Sequence, residues 1–224
     1  MNPVLYKAIV AESALDALRA LGIHETVGHE KRVAEEDWSL EPEAREILLS
    51  IVQAIRPRTY LEIGAHAGVT CIAVADLMKR LVYGKVFAIE PEPTLASTIR
   101  SAATDENLPL TVIEATSSDA YNKWGREELD VILVDGDHTL SSTTFDIAAW
   151  STLLAKDGWM LIHDTVTRLE RRFPGDYIAA PALFAITNIV QVTHRPSDQL
   201  WEGLAVMRWS EVGRELHDMR LRMW

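Results

Sequence analysis

Along the middle of the chain, short apolar runs of strand length alternate with longer segments of helical period. The strand-like runs are T-Y-L-E-I at 59–63, K-V-F-A-I-E at 85–90, L-T-V-I-E at 110–114, D-V-I-L-V-D at 130–135 and W-M-L-I-H-D at 159–164. Their apolar stretches are nearly continuous, which suits strands covered on both faces. Helical segments are expected at 69–81, at 94–103, after Asp119, and at 141–154. This alternation predicts an α/β fold, a doubly wound and mostly parallel sheet whose ligands gather at the carboxyl ends of the strands. A further helix, Pro42–Ile55, carries Ile47, Leu48, Ile51, Val52 and Ile55 on one stripe and is stopped by Pro57. Upstream, Leu15, Leu18 and Leu21 mark an amphipathic segment ending near Gly22, and 30–41 is charged, so 1–57 reads as an N-terminal helical extension. Downstream, 165–185 is a long connection. Two strands at 186–194 and 201–209, joined by R-P-S-D-Q, form an antiparallel hairpin that brings the sheet to seven strands, and 211–224 closes as a helix.

Composition narrows the class. The 224 residues are 48% hydrophobic and 25% charged, which fits one globular domain, 1–224, with a sizeable core. The formal charge of -11 argues against a nucleic-acid partner, because phosphate backbones select basic faces. Cys71 is the single cysteine, which excludes an internal disulfide; it is expected as a small buried residue and is compatible with a reducing cytosol. The N-terminus lacks a long apolar core after a basic start, and no run approaches ~18 apolar residues. A soluble, cytoplasmic protein with no membrane partner is the expectation.

The chemistry is concentrated at the strand tips. In T-Y-L-E-I-G-A-H-A-G-V-T, 59–70, a strand ends in a glycine turn and passes directly into a helix whose first amides point back at the turn, a place for a small anionic or zwitterionic ligand. The G-x-G-x-x-G spacing of a pyrophosphate turn is incomplete here. The run Glu62-Ile63-Gly64-Ala65-His66-Ala67-Gly68 instead resembles motif I of class I S-adenosylmethionine (SAM) methyltransferases. Glu90, before Pro91 and Pro93, sits at the second strand tip, placed to accept hydrogen bonds from both ribose hydroxyls. Ser117, Ser118 and Asp119 follow the third strand and either meet an adenine edge or cap the next helix. The fourth strand ends in Asp135, Asp137 and His138, a crowding of titratable groups that reads as an active-site edge. The fifth follows K-D-G, 156–158, a turn with glycine where a positive φ is wanted, and ends in His163 and Asp164.

V-D-G-D-H, a helix, then L-L-A-K-D-G-W-M-L-I-H-D-T looks like the small O-methyltransferase branch of this fold, the group catalogued as methyltransferase family 24 and relatives of the catechol and caffeoyl-CoA type. With Y-L-E-I-G-A-H-A-G and F-A-I-E-P upstream, the resemblance covers roughly residues 41–164. It implies the Rossmann-like methyltransferase fold, with Glu62, Gly64, Ala65, Gly68 and Thr70 at the methionine end of SAM and His66 packed near the cofactor. It also implies Glu90 and Pro91 at the ribose, Ser117–Asp119 at the adenine, and Asp135 at the reacting edge. In metal-dependent relatives an aspartate at the fourth tip and a pair at the fifth hold magnesium, and a lysine is the base. Here Asp135 and Asp164 match, Thr165 stands at the third ligand position and His138 at the lysine, so Asp135, Asp137 and Asp164 could still hold Mg2+. The rival is metal-free proton transfer to His138 or His163.

The expected activity is SAM-dependent methylation of a hydroxyl on a small-molecule acceptor, a sugar or phenol of a secondary metabolite. Two alternatives stand beside it: a non-catalytic SAM-fold interaction subunit, for which Trp224 offers a partner surface, and a dinucleotide-dependent oxidoreductase. Arg168, Arg171 and Arg172 either pair with an anionic substrate or form an exposed charge run. A homodimer is compatible with the sequence, and the acceptor is not identified by it.

Overall fold

The computed structural model describes residues 40, 42–125, 127–137, 139–164, 166–167, 189–191, 201–202 and 204–208. Five strands run parallel in the order β3-β2-β1-β4-β5: β1 (Thr59–Ile63), β2 (Lys85–Ile89), β3 (Leu110–Ile113), β4 (Leu129–Val134) and β5 (Leu154–Ile162). Every residue of β1 is buried, which is why its sequence shows an apolar run rather than an alternation. The α/β parallel architecture expected from the pattern is the one observed.

The pleat sends successive side chains to opposite faces, and each face has its own core. Tyr60 packs with residues of α1 (Pro42–Ile55), α2 (Val69–Arg80) and α3 (Pro93–Asp105), among them Leu48, Ile51, Cys71, Val74, Met78 and Ile99. Leu61 and Ile63 pack on the other side with Ala120 of α4 (Ser117–Lys123) and with Ile147 and Trp150 of α5 (Leu140–Trp150). Trp150 is fully buried and meets Tyr121 and Trp124 edge to face, with ring centroids 5.3 and 5.4 Å apart. Each fully buried side chain of this size contributes about 1.5–3 kcal/mol.

The site lies where the strand order reverses, between β1 and β4. At the far end of these strands the Asp130 carboxylate accepts the Arg58 amide at 2.6 Å and the Thr59 amide at 3.1 Å. This clamp sets the register in which Ile63 lies opposite Val134, so both strands end level at the ligand edge. Beyond β5 come four short strands: β6 (Val166–Thr167), β7 (Ile189–Gln191), β8 (Trp201–Glu202) and β9 (Ala205–Arg208). β9 pairs antiparallel with β5, β7 with β9, and β6 with β8.

Three local expectations are corrected. The helix expected at 141–154 ends at Trp150; a 3-10 turn at Ser151–Leu153 follows, and β5 begins at Leu154. Residues 156–158 lie within β5 rather than in a turn ahead of it, and the left-handed residue there is Asp157, at φ 63°, not Gly158. Aspartate tolerates that region, and Gly158 serves packing instead, since a Cβ there would come within 3.0 Å of the Ala155 carbonyl oxygen. Finally, Ser117, Ser118 and Asp119 form the first turn of α4 rather than preceding it, because Thr116 is the cap and accepts the Asp119 amide.

Cys71 is buried, as expected, with its thiol directed at the Gly68 carbonyl 3.3 Å away. Among the described residues no helix is long and apolar enough to cross a membrane. The segment at 1–39 with Leu15, Leu18 and Leu21, His138, Thr165, the arginines at 168, 171 and 172, the 195–199 connection and the 211–224 segment with Trp224 lie outside the described residues.

Candidate cofactor site and catalytic edge

The glycine turn exists because two neighbours leave no room for side chains. Gly64 has φ +85°, and a Cβ on it would fall 2.2 Å from the Asp135 carbonyl oxygen and 2.6 Å from the Gly136 Cα. Only glycine lets the tip of β1 lie against the tip of β4. Gly68, at φ +82°, caps α2 without a side-chain hydrogen bond, and a Cβ there would meet Ile99 Cγ1 at 2.7 Å. The leading amides of α2 therefore face the turn without a capping side chain, which makes an electropositive ligand edge. His66 is exposed at φ 48°, Ala67 is exposed, and Ala65 and Thr70 are buried.

Two glutamates flank the turn. Glu90, 5% exposed at the tip of β2, accepts the His66 amide at 2.7 Å and the Glu92 amide at 2.8 Å, so it holds the turn as well as facing the edge. Pro91 beside it is exposed. Glu62 lies beneath the turn, 2% exposed, and accepts the Tyr60 hydroxyl at 2.8 Å. Burial pushes its carboxyl up to about 8; the Tyr60 hydrogen bond opposes that rise and the Asp135 charge adds to it. Tyr60 is raised too, first by its own burial and then by the Glu62 charge.

The tips of β4 and β5 form the second half. The Asp135 amide donates to Ile63 at 2.9 Å and the His163 amide to Val134 at 3.0 Å, so the three tips step along one edge. His163 Nδ1 stands 3.0 Å from Asp135 Oδ1 and 3.5 Å from Asp164 Oδ1, with His163 and Asp164 buried. Asp164 adopts φ 53° at the turn out of the strand. Asp137 is placed differently: its carboxylate accepts the Thr139 amide at 3.2 Å, the Thr139 hydroxyl at 3.1 Å and the Ser142 hydroxyl at 2.8 Å, at the start of α5.

The pattern of the sequence did not single out Asp146. It is 2% exposed on α5, and its Oδ1 accepts the hydroxyl of Ser117, which in turn accepts the Trp150 indole N–H at 2.8 Å. Burial raises its carboxyl to about 6; Ser117 opposes the rise and the Asp137 charge adds to it. The available signal was one acid within the apolar run F-D-I-A-A-W of an expected buried helix. Tyr60, the donor to Glu62, likewise reads from the sequence only as an apolar strand residue. Ser118 and Asp119 are exposed.

The residues present fit a SAM-sized cofactor: a strained glycine turn, an uncapped helix start, and buried acids at the β1 and β2 tips. For a metal, Asp135, His163 and Asp164 offer ligand atoms within 4.8 Å of one another. Among the described residues that set places two carboxylates beside an imidazole nitrogen and does not include Asp137; magnesium prefers oxygen ligands, which Asp135 and Asp164 offer.

The family model described as a methyltransferase domain matches residues 61–165, the span from mid-β1 to just past the β5 tip. That span is similar to the family's methyltransferase domain, and the chain has the Rossmann-like methyltransferase fold. No curated protein sequence matches. Among solved structures, the chain is similar to the cofactor-bound Rv0187 from MTB, with 18% identity, 93% of this chain and 97% of that chain covered, and a TM-score of 0.63. It is also similar to the O-methyltransferase from Bacillus cereus in complex with SAH (18% identity, 89% and 90% covered, TM-score 0.61). A third is the O-methyltransferase TomG from Streptomyces achromogenes, involved in tomaymycin synthesis and in complex with SAM (13% identity, 93% and 95% covered, TM-score 0.62). The family match leaves the dinucleotide-dependent reading without support.

Proposed function

We propose that this protein transfers the methyl group of SAM to a hydroxyl oxygen of a small molecule, and that His163, held by Asp135, takes the acceptor's proton. The observation that carries this reading is the pairing of His163 Nδ1 with Asp135 Oδ1 at 3.0 Å, on the same edge as the Gly64 turn. The cofactor, when bound, supplies an activated methyl carbon on a sulfonium.

The chain's own residues do the rest. The turn at Gly64 and Gly68, with Glu62 beneath it, receives the amino-acid end; Glu90 accepts the ribose hydroxyls with lone pairs left over from its two amide bonds. Ser117 lies at the adenine end. With Nδ1–H donated to the Asp135 carboxylate, Nε2 is the nitrogen of His163 that accepts the proton as the new C–O bond forms. The C–S bond breaks in the same step and the sulfonium becomes a neutral thioether, so charge is conserved. His138 holds the rival role of base.

The antiparallel β9 and β7 beyond β5 support reading the sheet as seven strands with a C-terminal hairpin. The acidic chain supports a small-molecule acceptor over nucleic acid. Calorimetric titration with S-adenosylhomocysteine tests the cofactor: micromolar binding, about -8 kcal/mol, is expected. Absence of binding with and without added divalent cations would overturn the reading.

A further inference from the structure

Glu92 is exposed and stands between two prolines, Pro91 and Pro93, just past the tip of β2. A residue before proline is held extended, and Glu92 adopts φ -81° and ψ 117°. From there it makes bonds in two directions. Its backbone amide donates to Glu90 Oε1 at 2.8 Å. Its carboxylate caps α3, accepting the Thr94 amide on Oε1 at 3.1 Å and the Leu95 amide on Oε2 at 2.8 Å. These amides, Leu95 first, hold the carboxyl below the usual glutamate range, so the capping form is the charged one. Glutamate is one methylene longer than the aspartate more often found at a helix cap, and here each of its oxygens takes a different amide. Glu90 in turn is held from two sides, by the His66 amide on Oε2 at 2.7 Å and by the Glu92 amide on Oε1. Two anchors fix the rotation of a carboxylate, whereas one leaves it free to swing. With one lone pair of each oxygen taken, the direction of the remaining lone pairs is set by both amides together.

We infer that Glu92 is a positioning residue for ribose recognition: by capping α3 its carboxylate fixes the peptide whose N–H holds Glu90 Oε1, and so aims Glu90 at the two ribose hydroxyls. The inference rests on the methyltransferase reading above and deepens it. Glu92 acts through Glu90, and its own carboxylate is spent on the Thr94 and Leu95 amides. Without the cap, the first turn of α3 is free to fray and the Glu92 amide to leave Glu90, which then keeps only the His66 anchor. A ligand with ribose hydroxyls loses by that change; a ligand without them has nothing to lose at Glu90.

The test measures binding of S-adenosylhomocysteine and of its 2′,3′-dideoxy analogue to the full-length protein by calorimetry. The wild type should prefer the ligand with both hydroxyls on the order of a hundredfold. Glu92→Ala should weaken that ligand about fivefold and leave the dideoxy ligand nearly unchanged, which brings the preference to about twentyfold, with the variant folded by thermal melting. Glu92→Asp, which keeps a capping carboxylate, should restore the preference. A cap that served only the stability of α3 would weaken both ligands alike, so an undiminished preference in Glu92→Ala overturns the inference. A preference reduced as much in Glu92→Asp as in Glu92→Ala overturns it too. Should Glu92→Ala fail to fold, Glu92→Gln decides: its single side-chain oxygen caps less well, and an undiminished preference there is the refuting result. Equal binding of the two ligands to the wild type removes the ribose role of Glu90 and the inference with it, whereas no binding of either sinks the cofactor reading itself.

Discussion

Glu62→Gln should make the ligand-free protein more stable at alkaline pH while weakening its cofactor site. In the folded protein the Glu62 carboxyl keeps its proton up to about pH 8, against 4.5 for an unperturbed group. The folded state therefore binds more protons than the unfolded state between these values, and stability falls as pH rises through that window. Each unit costs at most about 1.4 kcal/mol, so 3.5 units set a ceiling near ~5 kcal/mol. Glutamine keeps an oxygen for the Tyr60 hydroxyl and cannot ionise, but it adds a buried amide N–H that costs about 1 kcal/mol at any pH. At pH 5 the variant should be equal to wild type or slightly weaker; at pH 8.5 it should be stronger by about 2–4 kcal/mol. In a domain of this size that is roughly 5–15 °C in Tm. Denaturant unfolding at both pH values, with calorimetry of S-adenosylhomocysteine at pH 8, makes the measurement, and binding should fall at least about tenfold as the carboxylate is lost. A variant whose stability drops between pH 5 and 8.5 as steeply as wild type would show that Glu62 is not the group responsible.

Other outcomes follow from the geometry. Gly64→Ala should cost about 3–5 kcal/mol and abolish cofactor binding, because its Cβ strikes the backbone of Asp135 and Gly136 at positive φ. Gly68→Ala should cost less, about 2–3 kcal/mol, since Ile99 and Ile72 side chains can give way; equal losses in unfolding free energy would refute the distinction. His163→Ala should lower kcat by about 10²–10⁴ with the SAM dissociation constant little changed, measured by single turnover against binding; a kcat within a few-fold of wild type would move the base to His138. Asp130→Ala, far from the chemistry, should destabilise by about 2–3 kcal/mol through the orphaned Arg58 and Thr59 amides, read from denaturant midpoints.

The strand runs were legible because strands buried on both faces must be apolar throughout, and β1 with T-Y-L-E-I is the clearest case. Gly64, Asp135 and His163 were legible as tip residues because polar groups ending an apolar strand have nowhere else to go. Their partners were not. Asp137 and Asp135 are both acids of one short motif, yet one holds Thr139, the cap of α5, and the Ser142 hydroxyl while the other meets His163, and that split depends on a turn whose dihedrals the residue types leave open. Asp146 is not legible in the sequence because a helix period assigns a position to a face but does not say which other element covers it.

The sequence by itself determined the class of fold, the edge at which the chemistry sits, and the glycine turn that admits a cofactor, since these follow from local period and backbone freedom. Only the tertiary structure decided which acids hold their protons more tightly and which sit at the reacting edge. Burial of Glu62 beneath the turn and of Asp146 against Ser117 and Trp150 is a property of packed neighbours far apart in the chain, and the ionisation of a carboxyl is set by those neighbours rather than by its own residue type.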